Sequence, residues 1–235
     1  MLKFLFWSSL TGKVVLRLTL AWITPPGRPF WHPGSWNYQL FGSSIRNTHL
    51  LYCYSQTDYR VRPLVLAVKM RAKDHKINEA RFQTLSSYTI TLMVLHFLQC
   101  GVNPPVIPCL HREFPQMFNS KSDIFSLPYT TMNFSSNNRM SLGELLVKFF
   151  KYYNNTAYFD PQRDVGSIRC GSILDAADCE RFARISKLSP GQWSARLLME
   201  EPFDRTNAAR AVCSDEKWRL VKATLEVGHD ISIHW

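Results

Sequence analysis

Two stretches of the chain carry apolar residues at the spacing of an α-helix. Val61–His75 has an apolar stripe at Leu64, Val65, Val68 and Ala72, because residues three and four apart share a face of a helix. Pro63 fits the first turn, where a helix has no use for the N–H that proline lacks. In Ser141–Tyr153 a Ser-x-x-Glu capping box precedes apolar residues at the same spacing. Both stretches are predicted to be amphipathic helices.

Three further stretches are also predicted to be helical. Ser86–Cys100 is apolar nearly all round, which is typical of a helix buried in a core. Asn47–Gln56 is apolar-rich and is predicted to form an earlier helix. The last helix is predicted to begin at Ser214-Asp215-Glu216 and to close at Gly228.

The remaining pattern predicts a few strands and one long connection. Short runs of strand-forming residues lie at Thr156–Asp160, Ser167–Cys170 and Leu197–Glu200. Cys109–Asn138 is polar with scattered aromatic residues, and we predict that it is mostly loop. The predicted fold class is therefore α+β, mostly helical.

The N-terminal part differs from the rest in both pattern and charge. Phe4–Leu10 and Val14–Ile23 are short apolar stretches, and prolines from Pro25 onward indicate loop. No acidic residue precedes Asp58, and the whole chain has 28 Lys and Arg against 18 Asp and Glu, a net charge of +10. An acid-free basic N-terminus is typical of a mitochondrial presequence, and the alternative is a segment without a targeting role. We predict a leader over residues 1–44, mostly loop.

Several classes of site are disfavoured because their motifs are absent. The six cysteines include no Cys-x-x-Cys pair, which argues against a zinc site and favours free thiols in a reducing compartment. The seven histidines include no His-Glu-x-x-His, and the sequence has no Walker A loop, Gly-x-Gly-x-x-Gly or Gly-x-Ser-x-Gly. The chain also lacks a run of about 18 apolar residues, so no transmembrane helix or membrane partner is predicted.

Three clusters carry side chains suited to chemistry, and each also has a plainer interpretation. Lys69 and Lys73 share a helix face and can hold a triphosphate as point charges, or they belong to a solvated face. Thr84–Tyr88 begins the buried helix, where anions are favoured and a ring can stack on a base; the alternative is an N-cap with a packed tyrosine. Glu200–Asp204 offers carboxylates for metal or acid–base work, or it is a solvated turn.

The order of several short motifs resembles one family. The motifs are Ile45-Arg46-Asn47-Thr48, Arg62-Pro63-Leu64-Val65-Leu66, Thr84-Leu85-Ser86-Ser87-Tyr88, Glu201-Pro202-Phe203-Asp204 and Thr206-Asn207-Ala208-Ala209-Arg210. The ordered set spans about Ile45–Val212 and resembles the cytoplasmic poly(A) RNA polymerases of the terminal nucleotidyltransferase family, in particular the germline-development type. The resemblance implies part of a nucleotidyltransferase: a helical central domain over 45–140, a PAP-associated domain over 141–204 and a helix returning to the central domain over 205–228.

The resemblance also implies contacts to the sugar and phosphates of a nucleotide. Asn47 and Thr48 match the Asn-Thr of the family that contacts the nucleotide's sugar and phosphates. Lys69 and Lys73 match two lysines that grip the triphosphate. These assignments agree with the physical suitability of the two lysines.

Two further matches concern the triphosphate and the base. Ser87 matches a serine that contacts the triphosphate, and Tyr88 matches a tyrosine that stacks on the base. Uridylyl-transferring relatives carry a histidine shortly after the Glu-Pro-Phe segment, whereas Asp204–Ala208 contains none and is one residue shorter. The resemblance therefore favours adenylyl transfer.

The chain departs from the family at the metal-binding carboxylates. Members hold two metal ions with an Asp-x-Asp that follows Gly-Ser and with a third aspartate eleven residues before the Asn-Thr. Here Gly42-Ser43-Ser44 is followed by Ile45, and Trp36 stands eleven residues before Asn47. No catalytic residue and no metal ligand are therefore predicted in this chain.

The predicted function is that of a partial poly(A) RNA polymerase, an ATP-dependent RNA 3′-end adenylyltransferase in mRNA polyadenylation, inactive by itself. The resemblance implies ATP as substrate with Mg²⁺ or Mn²⁺, an RNA 3′ end and RNA-binding protein cofactors as partners, and a cytoplasmic location. Mitochondrial import through the leader is a minor alternative. The alternative function is a non-catalytic RNA- or partner-binding module that competes with the complete polymerase.

Overall fold

A computed structural model describes residues 38–123, 127 and 134–227, with side chains from residue 43 onward. Its helices are α1 (Tyr38–Thr57), α2 (Val61–Asp74), α3 (Ser87–His96), the single turn α4 (Leu110–Glu113), α5 (Leu142–Asn154), α6 (Ala176–Ile185) and α7 (Asp215–Val227). The strands β1 (Asp164–Ser167) and β2 (Ser172–Asp175) form one antiparallel pair. Short 3₁₀ turns occupy Ala80–Phe82 and Pro190–Ser194, and a π-turn, Phe97–Gly101, extends α3. The prediction of a mostly helical α+β fold is confirmed.

The core is built around α3, as its all-round apolar sequence predicts. Leu92, Val94 and Leu95 are at most 1% exposed. Helix α2 packs against both α3 and α5, and α7 packs against α5. Burying each large apolar side chain contributes about 1.5–3 kcal/mol, so this central helix anchors the surrounding ones.

The predicted helix starts are confirmed by their caps. The Ser141 hydroxyl accepts a hydrogen bond from the backbone N–H of Glu144, and the Glu144 carboxylate accepts one from the N–H of Ser141 at 2.7 Å. Helix α3 begins in a similar way, because the Oγ atom of Ser86 accepts from the N–H of Thr89 at 2.9 Å. An N-cap of this kind stabilises a helix by about 1 kcal/mol.

The strand predictions are mostly wrong, for local reasons. Thr156–Asp160 contains a turn, because the oxygens of Asn155 accept from the N–H groups of Ala157, Tyr158 and Phe159. The second predicted strand lies three residues earlier, at Asp164–Ser167, since the Ser167 hydroxyl accepts from the N–H of Cys170 and closes a turn. The third prediction, Leu197–Glu200, is reduced to isolated bridges at Met199 and Glu200.

The β-hairpin carries a small second core that the sequence pattern did not indicate. Val165, Cys179, Ala183, Trp193 and Leu198 pack together between β1, α6 and the 3₁₀ turn. The hairpin also approaches α3 closely: a Cβ atom at Gly166 would lie 2.7 Å from the sulfur of Met199 and 3.1 Å from a ring nitrogen of His96. Glycine is needed there for close packing, so the hairpin is held against the main core.

The ends of the predicted organisation are described only in part. Helix α1 begins at Tyr38, so the last part of the predicted leader is helix and not loop. Residues 1–37 and Gly228 lie outside the described residues. Within the described part, no helix combines the length and the apolar character that crossing a bilayer requires. All six cysteines are described and carry free thiols.

Candidate nucleotide-binding site

Two of the predicted site residues meet at one buried carboxylate. Glu201 is 6% exposed and belongs to the loop of residues 199–208, which we call the 199–208 loop. The Tyr88 hydroxyl donates a hydrogen bond to Oε1 of Glu201 at 3.2 Å. The side-chain amide of Asn47 lies near the same carboxylate and lowers its pKa. Helix α1, helix α3 and the 199–208 loop are therefore joined at this point.

The other oxygen of this carboxylate is held by the backbone of its own loop. Oε2 of Glu201 accepts from the N–H of Phe203 at 2.8 Å and from the N–H of Asp204. Burial raises the pKa of Glu201. Burial, with the neighbouring Glu201 charge, also raises the pKa of Tyr88 well above its usual value. The tyrosine is consequently a neutral hydrogen-bond donor at physiological pH.

Asn47 and Thr48 are neighbours on α1 but differ in whether their side chains have hydrogen-bonding atoms free for a ligand. Oδ1 of Asn47 is buried and has no hydrogen-bond partner among the described residues. The Thr48 hydroxyl instead donates to the backbone carbonyl of Ser44 in the preceding turn at 2.9 Å. Asn47 therefore offers an unmet acceptor, while Thr48 has its proton engaged within the helix.

Lys69 and Lys73 lie on the same face of α2, as predicted. Lys69 is half-buried, and this burial lowers the pKa of its ammonium group. Lys73 is exposed. Across the described ranges, no hydrogen bond or ion pair engages either ammonium group, whereas Arg81 and Arg169 are paired with glutamates. The two lysines are thus a pair of cations without a protein counter-ion.

Ser87 stands where the end of α2 meets the start of α3. The N–H of Leu85 donates to the carbonyl of Ile77 at 3.0 Å, which ties the two helix ends together. The exposed Ser87 hydroxyl donates to Oδ1 of Asn78 at 3.2 Å. Because Lys73 lies in the last turn of α2, a lysine and the positive end of a helix dipole come to the same corner.

The glutamate pair is buried, so the interpretation as a solvated turn is wrong for Glu200 and Glu201. Glu200 is 2% exposed. Arg169 donates to it from Nη2 at 2.7 Å and from Nε at 3.2 Å, and Arg205 donates from Nε at 3.3 Å. The Ser167 hydroxyl donates to it as well. Glu200 therefore neutralises arginines at the hairpin, whereas its neighbour Glu201 faces Tyr88 and Asn47.

The described residues do not fit a metal ion. Nowhere in the described part do three or more His, Cys, Asp or Glu side chains form a group able to bind one. Two acidic side chains lie at the candidate site. Glu201 already accepts hydrogen bonds on both of its oxygens, and Oδ1 of Asp204 accepts from the Ser43 hydroxyl at 2.8 Å. No step that requires a bound metal is therefore assigned to these residues.

Comparison with known proteins gives the family. Residues 141–207 match the family described as PAP_assoc, Cid1 family poly A polymerase. Poly(A) RNA polymerase gld-2 homolog A of Drosophila melanogaster is 45% identical over 183 residues, which cover 76% of this chain and 13% of that protein. The structure of a GLD-2/RNP-8 complex matches at a TM-score of 0.60 with 34% identity, over 82% of this chain and 56% of that one.

A further structural neighbour holds a nucleotide. It is the Cid1 poly(U) polymerase with MgGTP bound, at a TM-score of 0.64 and 29% identity, over 83% of this chain and 57% of that one. The chain thus spans little more than half of these solved structures and 13% of the fly relative. Fold, segment order and sequence agree, and the chain belongs to the GLD2-type poly(A) RNA polymerases of the terminal nucleotidyltransferase family, of which it represents a part.

Proposed function

We propose that this chain supplies the nucleotide-binding face of a poly(A) RNA polymerase and that its nucleotide is ATP. The observation that carries the proposal is the meeting of Asn47 and Tyr88 at Glu201, beside a helix whose two lysines have no counter-ion in the described structure. The half-buried ammonium group of Lys69 and the unmet acceptor of Asn47 are unfavourable in the free protein. A ligand with phosphates and hydroxyl or amine donors satisfies both.

Each side chain then has a definite task. Lys69 and Lys73 bind the triphosphate, and Ser87 adds a hydroxyl at the helix start, where anions are favoured. The Tyr88 ring stacks on the base, a contact that contributes about 1–3 kcal/mol in nucleic-acid binders. Asn47 binds the sugar side of the nucleotide, and Thr48 lies next to it on α1.

The choice of adenine is part of the proposal. The segment Asp204–Ala208 contains no histidine, and the fly relative carries the name poly(A) RNA polymerase, while the MgGTP-bound neighbour is a poly(U) polymerase. We expect ATP to bind more tightly than UTP. Titration of the purified chain with both nucleotides measures this preference.

We further propose that the chain does not transfer adenylate by itself. The printed sequence has no carboxylate before Asp58, so the positions that bind two metal ions in relatives are not acidic here. Incubation with ATP, Mg²⁺ and an RNA primer should give no tail. A robust extension of the primer would overturn this part of the proposal.

The binding experiment uses a matched pair of variants. In Lys69→Ala/Lys73→Ala, ATP binding measured by calorimetry should fall at least about tenfold, because two phosphate contacts are lost. The control is Lys148→Ala/Lys151→Ala, which removes the same charge from exposed positions on α5. If both double variants bind ATP as the unaltered chain does, or if the unaltered chain does not bind ATP, the proposed function is wrong.

A second candidate is a non-catalytic module that binds an RNA-binding protein. Leu66 and Met70, four apart on α2, are 41% and 65% exposed, and the neighbouring GLD-2 structure is a complex with RNP-8. Met70→Glu should then abolish capture of such a partner while leaving ATP binding unchanged. Unchanged capture would exclude this surface, and salt-dependent binding of the chain to RNA would support direct contact with RNA.

We also propose that the protein acts in the cytoplasm. A fluorescent reporter fused after residues 1–42 should remain diffuse in the cytosol. Its accumulation in mitochondria would instead support the presequence interpretation of the basic N-terminus.

A further inference from the structure

Glu201 has no assigned task, although it lies at the centre of the candidate site. Its Oε1 atom accepts from the Tyr88 hydroxyl at 3.2 Å, and the amide of Asn47 lies near enough to the same carboxylate to lower its pKa. Its Oε2 atom accepts from two consecutive backbone N–H groups, those of Phe203 and Asp204. The backbone contacts fix the carboxylate, and the fixed carboxylate then determines where the two side chains lie.

The contact with Asn47 decides which atom of its amide is presented. An amide beside a carboxylate turns Nδ2 toward it and Oδ1 away from it, because a carboxylate accepts and cannot donate. Oδ1 of Asn47 is buried and has no partner among the described residues. A buried acceptor without a donor is unfavourable and calls for a donor from a ligand.

The contact with Tyr88 restrains its ring. The phenol oxygen lies on the Cβ–Cγ axis, so a hydrogen bond there fixes the direction of that axis. Because the phenol O–H prefers to lie in the plane of the ring, the same hydrogen bond also favours one ring plane. A ring held in one orientation loses less entropy when a base stacks on it. The same carboxylate therefore prepares a stacking surface and a hydrogen-bond acceptor together.

We propose that Glu201 is the positioning residue of the nucleotide site, which orients the Tyr88 ring for the base and presents Oδ1 of Asn47 to a donor on the nucleoside. This inference rests on the proposed function, because it concerns the same nucleotide. Glu201 acts through Tyr88 and Asn47 and does not touch the triphosphate. Its contribution is consequently confined to the nucleoside half of the ligand.

The neighbouring glutamate provides a matched control. Glu200 is as deeply buried as Glu201, but its partners are Ser167 and Arg169 of the hairpin and Arg205 of its own loop. Glu200→Gln and Glu201→Gln therefore make the same chemical change at adjacent positions that face different partners. A loss of stability is expected in both, whereas a loss of nucleoside recognition is expected only in Glu201→Gln.

The test compares ATP with inorganic tripolyphosphate, which carries the phosphates without base or sugar. In the full chain, Glu201→Gln should weaken ATP binding about tenfold and leave tripolyphosphate binding unchanged, as measured by calorimetry. Tyr88→Phe, which keeps the ring and removes only its hydroxyl, should weaken ATP binding about threefold. The double variant should bind no more weakly than Glu201→Gln alone, because both changes remove the same contact.

The outcomes separate this inference from the proposed function. If Glu201→Gln weakens both ligands equally, or weakens neither, Glu201 does not position the nucleoside. If Glu200→Gln weakens ATP binding as much as Glu201→Gln does, the effect is general destabilisation of the loop and the inference fails. If Glu201→Gln unfolds, Tyr88→Phe decides in its place, and an unchanged ATP affinity of this variant overturns the inference. A failure of the unaltered chain to bind ATP overturns the proposed function itself.

Discussion

The polar groups on the two sides of the 199–208 loop differ in how fully they are paired by hydrogen bonds and opposite charges. On the hairpin side, Glu200 is bound by two arginines and a serine, and its charge is fully matched. On the other side, Oδ1 of Asn47 and the two lysines of α2 have no partner within the described structure. On the hairpin side the buried carboxylate is paired, as a stable packing contact requires. On the other side the polar groups without partners indicate where we propose that a ligand binds. The difference concerns the two glutamates and their partners, because the small core beside the hairpin also holds an unpartnered donor, Nε1 of Trp193.

The largest expected loss of stability comes from a substitution on the hairpin side of the loop. Glu200→Ala leaves Arg169 and Arg205 facing each other without their shared counter-ion, and we expect a loss of about 3 kcal/mol in the free energy of unfolding. Urea denaturation measures it. The control, Asp178→Ala, removes an exposed ion pair with Arg181 on α6 and should change stability by less than about 0.5 kcal/mol. If both substitutions lowered the free energy of unfolding equally, the pairing of Glu200 would be no more important for stability than an exposed ion pair.

The next effect concerns a buried histidine where the hairpin meets α3. Burial lowers the pKa of His96 from 6.5 to about 4. Between these two values the unfolded chain binds a proton that the folded protein does not, so stability is present above pH 6.5 and is lost as the pH falls toward 4. The loss amounts to about 3 kcal/mol. Denaturation at several pH values measures it.

The pH effect also has its own control. The control variant is His75→Gln, which makes the same substitution at a partly buried histidine at the end of α2. His96→Gln should reduce the decline without abolishing it, because burial also lowers the pKa of His111 from 6.5 to about 4, and the hydrogen bond with Tyr153 is weakened as well. An equally steep decline in His96→Gln would show that other groups are responsible.

At the candidate nucleotide site, removal of a charge should raise the stability of the protein, whereas at Glu200 it should lower it. Lys69 is half-buried without a counter-ion in the described structure, so Lys69→Met should raise the free energy of unfolding by about 0.5–1 kcal/mol while weakening ATP binding. Thermal denaturation and calorimetry test the two parts. Lower stability in this variant would mean that the ammonium group has a structural task.

The smallest expected change in stability comes from a substitution at the C-terminal end of α2. Lys76 has a left-handed backbone with φ of 58°, and the N–H of Ile77 donates to the carbonyl of Ala72 across it at 2.8 Å. Glycine adopts this conformation without strain, so Lys76→Gly should stabilise the protein by about 0.5–1 kcal/mol. Lys148→Gly, within α5, should destabilise it by about 1 kcal/mol. Thermal denaturation compares the two.

The sequence predicted those parts of the fold that depend on neighbouring residues. Helices α2, α3 and α5 carry their periodicity and their caps within a few residues, and all three form as expected. Strand β2 and helix α6 were missed. Their pattern is short, and the buried side of α6 consists of the small residues Cys179 and Ala183, which give a weak apolar signal. The pairing of β1 with β2 depends on tertiary context, which overrides local propensity.

The candidate site divides in the same way. The suitability of Lys69, Lys73 and Tyr88 for a nucleotide follows from residue type and helix position. The hydrogen bond between Tyr88 and Glu201 joins residues 113 positions apart in the chain, and no local sequence pattern predicts it. The carboxylate cluster was visible in the sequence, but the opposite orientation of its two glutamates was not, because it depends on which partners the fold brings to each side.

Glu200 and Glu201 are joined by a single peptide bond, and this has a consequence for communication within the molecule. The arginines and Ser167 hold Glu200 in place, so tightening of Glu201 is not passed across that peptide bond to the hairpin. We therefore expect ATP to slow amide hydrogen exchange at Phe203, whose N–H donates to Oε2 of Glu201 at 2.8 Å, far more than at Gly166, whose N–H donates to the carbonyl of Leu198 at 3.1 Å.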